Sequence, residues 1–99
     1  MKYFLVEKHP GGSYYTIYPK HDSWCRGVQD GGAYPVLMAR LLGLSLASAL
    51  RLIKGKYQDK VMITGKNTYY PKVQWKTSEA AKDMASTLNS NMQKMLDNK

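Results

Sequence analysis

The segment KYFLVEKHPGGSYYTIY, residues 2–18, sets the fold class. Residues 2–7 and 14–18 are rich in β-branched and aromatic side chains, which favour strands. Between them, residues 9–13 contain a proline and two consecutive glycines, which are typical of a tight turn. The segment therefore predicts a β-hairpin near the start of the chain.

A second hairpin is predicted over residues 61–75. Residues 61–64 and 69–75 have strand composition, and residues 65–68 have the composition of a turn. Pro71 favours an edge strand for the second of these segments, because proline cannot donate a ladder hydrogen bond. Alternation places two sets of side chains on opposite faces of that strand: Tyr69, Val73 and Trp75 on one face, and Tyr70, Lys72 and Gln74 on the other.

Three helices are predicted from apolar spacing and capping residues. The first covers residues 34–42, with Pro35 at its first helical position and Gly43 as its stop. The second begins after Ser45 and ends before Gly55. The third covers residues 77–97, is capped by Thr77 or Ser78, and carries an apolar stripe with helical spacing: Ala81, Met84, Leu88, Met92 and Met95.

The predicted element order is ββααββα within a single domain, residues 1–99. This order indicates an α+β fold, a mainly antiparallel sheet with helices packed on one face. The hydrophobic fraction of 43% is sufficient for one modest core. The other face of the sheet is expected to be solvated or used for binding.

The sequence gives no sign of catalysis, of a cofactor or of a membrane segment. His21 and Cys25 lie in a predicted loop over residues 19–33 and supply only two metal ligands, whereas a structural zinc site needs four. A lone cysteine cannot form an internal disulfide, and no apolar run is long enough to cross a membrane. We therefore expect a cytoplasmic protein that is not an enzyme and binds no cofactor or metal.

The net charge of +8 is concentrated in one segment. Residues 51–76 hold seven cations and one carboxylate, together with four aromatic side chains. Lysines neutralise phosphates and aromatic rings stack on bases, so this mixture favours nucleic-acid binding. The candidate DNA- or RNA-binding residues are Arg51, Lys54, Lys56, Tyr57, Lys60, Lys66, Tyr69, Tyr70, Lys72, Trp75 and Lys76.

Alternatives to nucleic-acid binding stay open for the same residues. Exposed lysines also protect hairpin edges from pairing with other chains. The chain could instead be a protein-interaction module, for example an inhibitor that docks on a host nucleic-acid enzyme. A third possibility is self-association through the strand at residues 69–75 or through the methionine-rich face of the last helix.

Residues 35–54, PVLMARLLGLSLASALRLIK, resemble a helix-turn-helix. Ala39 occupies the small position of the first helix, Gly43 follows at the turn, and Leu52 closes the second helix. The resemblance implies that the second helix enters the major groove of DNA. The apolar content of that helix also fits an αα-hairpin packed on the sheet. In size and style the chain is similar to small accessory proteins of bacteriophages and mobile elements.

Overall fold

The computed structural model describes residues 3–19, 35–64 and 72–98. In chain order the elements are β1 (Phe4–Lys8), β2 (Tyr15–Pro19), α1 (Pro35–Leu41), α2 (Leu46–Lys56), β3 (Val61–Thr64), β4 (Lys72–Trp75) and α3 (Ser78–Asp97). The predicted ββααββα order and the α+β class are confirmed. The predicted loop over residues 19–33, including His21 and Cys25, lies almost entirely outside the described residues.

The four strands form one antiparallel sheet in the order β1-β2-β4-β3. β1 and β2 are the predicted first hairpin, with Val6 opposite Ile17. β4 lies inside the sheet, so the expectation of an edge strand there is wrong. Pro71 lies outside the described residues, and the described pairing of β4 begins after it, at Lys72 opposite Thr64. An inner position for β4 also removes it as an edge for self-association.

The core lies on one face of the sheet. Five strand side chains are buried there: Phe4, Ile17, Val61, Val73 and Trp75. α3 packs against this face with the predicted stripe, of which Ala81, Met84, Leu88 and Met92 are buried. Met95 is 39% exposed, because the stripe continues at Leu96, which packs against the core in its place. Most of the methionine-rich face is therefore core rather than a free surface.

The predicted helix ends are observed with one difference. Gly43 ends α1 with a φ of 72°, a left-handed conformation that glycine adopts at little cost. The Ser45 and Thr77 hydroxyls cap α2 and α3, accepting hydrogen bonds from the Ser48 and Ala80 amides at 3.2 Å. α2 continues through Gly55 to Lys56, where it was expected to end before this glycine.

Two asparagines of α3 hold other elements in place. The side-chain oxygen of Asn89 accepts hydrogen bonds from the backbone amides of Tyr3 and Phe4, both at 2.7 Å. The side-chain amide of Asn91 donates to the carbonyl of Leu41 at 3.0 Å, at the end of α1. These bonds fix the start of β1 and the last turn of α1 against the long helix.

The second face of the sheet is open among the described residues. Side chains that alternate with the core positions are half-buried or exposed, namely Leu5, Glu7, Thr16, Met62 and Gln74. No described helix packs over them, because the buried residues of α3, together with Met38, Leu41 and Ile53 of α1 and α2, belong to the one core on the opposite side. This surface is called the open face below.

Candidate nucleic-acid interface

Two of the aromatic residues predicted to stack on bases are in the core instead. Trp75 is 0% exposed and Tyr57 is 6% exposed. Their rings meet edge to face, with centroids 5.0 Å apart and an interplanar angle of 82°. A ring with almost no accessible surface cannot stack on a nucleotide, so the prediction is wrong for both residues. The alternation that placed Val73 and Trp75 on one face of the strand is confirmed, and that face is the buried one.

Tyr57 also explains the position of one predicted cation. Its hydroxyl donates to the Asp83 carboxylate at 2.5 Å, and burial together with this bond raises the pKa of Tyr57 well above its ordinary range. The Lys56 ammonium lies 3.7 Å from the same carboxylate and 5.4 Å from the Tyr57 ring centroid. Lys56 therefore already has an anionic partner, and this cluster joins the end of α2 to α3.

Two further cations form a group on the outer side of α2. Arg51 and Lys54 are exposed and, with Gly55 and Gln58, line an open concavity of about 400 Å³. Helical spacing places Arg51, Lys54 and Gly55 on one side of α2, opposite the buried Ile53, and Gln58 follows just beyond the end of the helix. Neither cation has an ion-pair partner among the described residues. The concavity is a candidate binding place for an anionic group.

Lys60 and Lys76 lie side by side on the open face. The amide of Lys76 donates to the carbonyl of Lys60 at 2.8 Å, which extends the β3–β4 ladder one pair beyond Val61 and Trp75. Since Val61 and Trp75 point into the core, alternation directs the two lysines to the other side. Both are exposed, and no carboxylate in the described part of the chain lies within ion-pair distance of either.

Two like charges directly opposite on neighbouring strands destabilise a sheet. By this rule the Lys60–Lys76 pair is by itself unfavourable for folding. Lys72 stands four pairs further along the same ladder, opposite Thr64, but its side chain is not among those described. Lys66, Tyr69 and Tyr70 also lie outside the described residues.

Among the described residues, the unpaired cations of the predicted basic segment lie on two surfaces. Arg51 and Lys54 project from the outer side of α2, whereas Lys60 and Lys76 project from the open face of the sheet. The helix-turn-helix resemblance stays a prediction, since the described residues show two helices joined by a short turn and no further evidence for a DNA-reading helix.

The register brings two residues to the lysine pair that sequence reasoning did not select. The amide of His9 donates to the carbonyl of Tyr14 at 2.9 Å, so these residues face each other beyond the last pair of the β1–β2 ladder. Tyr15 is opposite Trp75, which places Tyr14 next to Lys76 across the sheet. The register therefore aligns His9, Tyr14, Lys76 and Lys60 in one row, one position beyond the ends of the four strands, called the basic–aromatic row below.

Sequence could not reveal this row, because it depends on which strand pairs with β2. The composition of residues 9–14 indicated only a turn and the start of a strand. The pairing of Tyr15 with Trp75 joins positions 60 residues apart in the chain. Two consecutive tyrosines occupy positions 14 and 15, and alternation alone does not tell which of the two faces outward.

Other kinds of site receive no support from the described residues. Within residues 3–19, 35–64 and 72–98, no three histidine, cysteine or acidic side chains are close enough to hold a metal ion. No helix in these ranges is long and apolar enough to cross a membrane. Comparisons of the chain with protein-family models, with curated proteins and with solved structures each gave no match.

Proposed function

We propose that this chain is a non-catalytic accessory protein that binds nucleic acid through its exposed cations. The observation that carries the proposal is the Lys60–Lys76 pair on the open face, two exposed lysines at opposite positions of neighbouring strands, with no acidic partner among the described residues. A phosphate backbone supplies the missing negative charge at this position and releases counterions as it binds.

The distribution of charge supports a binding surface over a coat that only confers solubility. A surface whose charge serves only solubility has cations distributed over both hairpins and all helices, interspersed with acidic residues. Here residues 77–99 are neutral overall, whereas residues 51–76 carry six of the eight net positive charges. Of the exposed cations described in that segment, only Lys56 forms an ion pair. We also propose that the protein is cytoplasmic and that it resembles the small accessory proteins that bacteriophages and mobile elements encode.

Fluorescence anisotropy with labelled oligonucleotides, at about 50 and about 200 mM salt, tests the proposal. The variant K60Q/K76Q removes the pair on the open face. We expect weaker binding, and a slope of log affinity against log salt that is shallower by about 1.4 for a single strand, or about 0.7 for each phosphate that is no longer neutralised. R51Q/K54Q measures the contribution of α2 in the same way.

The matched control is K82Q/K94Q, which removes the same charge from exposed positions of α3. It should change affinity and salt slope much less than K60Q/K76Q. Equal effects of the two variants would mean that only net charge matters and that no interface exists. If neither DNA nor RNA, single-stranded or duplex, binds at the lower salt concentration, the proposed function is wrong.

A protein partner is the second candidate, and one observation favours it. Leu52 is 46% exposed on α2, next to Arg51, and Leu44 is exposed at the turn before this helix. Apolar side chains beside a cation suit a docking surface for an acidic protein, such as a host nucleic-acid enzyme that the chain would inhibit. A pull-down from lysate with and without nuclease separates the candidates, since only a protein partner survives nuclease treatment.

A further inference from the structure

We propose that the ligand is single-stranded and that the basic–aromatic row binds one of its nucleotide units. A base would stack on the His9–Tyr14 rings, and the adjoining phosphate would lie between Lys76 and Lys60. This inference rests on the proposed function and specifies the class of nucleic acid and the place where it binds.

The two rings form a platform that exists before any ligand binds. The ring centroids of His9 and Tyr14 are 4.7 Å apart with an interplanar angle of 25°, a stacked arrangement. His9 is exposed and Tyr14 is half-buried, so part of the stack remains accessible. Because the rings are already ordered against each other, a base that joins the stack immobilises little additional side chain.

The turn of the first hairpin supports this platform from beneath. A Cβ added at Gly12 would lie 3.0 Å from Cε1 of Tyr14 and 3.3 Å from Nδ1 of His9. The backbone of the turn therefore lies close to both rings, and a side chain at Gly12 would require them to shift by a few tenths of an ångström. The amide of Gly12 also donates to the carbonyl of His9 at 3.0 Å, which closes the turn.

The distances across the sheet suit a nucleotide. Adjacent strands are about 5 Å apart, so Lys76 and Lys60 arise about 5 and about 10 Å from the strand that carries Tyr14. The two ends of the row therefore differ: the rings lie at the β1 end and the cations at the β3 end. Glu7 lies on the β1 side of the next row, which disfavours a phosphate there and favours it beside the lysines.

The shape of the surface favours a single strand over a duplex. In a duplex the faces of the bases are already stacked on each other, so a ring platform cannot reach them, whereas the bases of a single strand are free to turn outward. No described element projects from the open face to enter a groove. Met62 is 41% exposed in the adjacent row and gives a neighbouring base an apolar contact.

The test compares a labelled 12-nucleotide single strand with a hairpin duplex of the same composition, by anisotropy. Tyr14→Val removes the ring and keeps a side chain that favours strands. We expect single-strand affinity to fall about 5–100-fold, the range for loss of one stacked base, with the salt slope and duplex affinity unchanged. Tyr14→Phe retains the ring and should bind within about twofold of the parent.

His9→Ala provides a second variant that does not threaten the fold, because His9 is exposed. It should also weaken single-strand binding several-fold without changing the salt slope. If both variants bind single strands as the parent does, while K60Q/K76Q still weakens binding, the stacking platform is refuted and the proposed function stands. Tighter binding of the duplex than of the single strand refutes the inference as well. Absence of binding to either oligonucleotide refutes both proposals together.

Discussion

Replacing Lys76 with glutamate should make the folded domain more stable and weaken its binding to nucleic acid. Lys76 lies directly opposite Lys60, with the two backbones joined by a 2.8 Å hydrogen bond. Glutamate at this position converts a repulsive pair into an attractive one. Exposed cross-strand charge pairs contribute about 0.2–1 kcal/mol, so removing the repulsion and adding an attraction should raise the free energy of unfolding by about 0.5–1 kcal/mol.

The reciprocal variant makes the prediction sharper. Lys60→Glu should stabilise the domain by the same amount, for the same reason. The double variant K60E/K76E again has two like charges, so its stability should return to that of the parent. The two single effects are thus strongly non-additive, which is the signature of a direct interaction between the two positions. Nucleic-acid affinity should instead fall in each single variant and fall further in the double variant.

Urea denaturation at low salt measures the stability of the four proteins, and thermal melting gives an independent value. A gain of about 1 kcal/mol raises Tm by about 4–8 °C in a domain of this size. At about 1 M salt the Debye length is about 3 Å, and the differences should largely disappear. Lys82→Glu on α3 is the matched control, since it lowers the net charge from +8 by the same two units and should leave stability within about 0.5 kcal/mol.

Two results would refute this reasoning. If the single variants and the double variant are additive, the lysines do not interact and the register of the row has no electrostatic consequence. If Lys82→Glu stabilises the domain as much as Lys76→Glu does, the gain comes from lower net charge and not from the pair. In either case the like-charge pair could no longer serve as the observation that carries the proposed function.

Three further predictions concern the scaffold. Asn89→Ala should lower the free energy of unfolding by about 1–2 kcal/mol, because it removes the hydrogen bonds from the amides of Tyr3 and Phe4 to this side chain. Ser90→Ala, at the exposed neighbouring position, should have little effect in the same urea titration. Gly43→Ala should lower the free energy of unfolding by about 1 kcal/mol through the left-handed backbone alone, since an added Cβ meets nothing within 4 Å. A lower urea midpoint with an unchanged m-value would confirm this expectation, and an unchanged midpoint would contradict it. The raised pKa of Tyr57 means that the unfolded chain ionises this phenol first, so its contribution to stability is complete below about pH 10 and is lost as the pH rises further. Tyr57→Phe should make stability less dependent on pH above pH 10, and an unchanged dependence would rule out Tyr57 as its source.

The sequence predicted the elements of this fold because each depends on local chemistry. The caps at Ser45 and Thr77, the stop at Gly43 and the first hairpin all follow from residues within one or two turns of each other. The stripe of α3 was likewise visible as a helical period. Asn89 lies outside that apolar stripe, and its side chain accepts a hydrogen bond from the amide of Phe4 at the start of β1, a contact between residues 85 positions apart. The sequence pattern cannot distinguish an asparagine that faces solvent from one that hydrogen-bonds a distant strand.

The candidate site depends even more on contacts between distant residues, which the sequence does not predict. Charge can be counted directly from a sequence, but strand order cannot. Counting cations marked residues 51–76 as the candidate segment, and Lys60 and Lys76 in it are exposed and without acidic partners among the described residues. Aromatic rings have no such simple rule, because a strand buries one face and exposes the other. Trp75 was therefore assigned to the surface although it fills the core, while Tyr14, outside the basic segment, lies next to Lys76 only because β2 pairs with β4. Interleaving of aromatic and basic residues along a chain is thus weaker evidence for a stacking surface than their adjacency across paired strands, and the variants at Tyr14 and Lys76 test that adjacency directly.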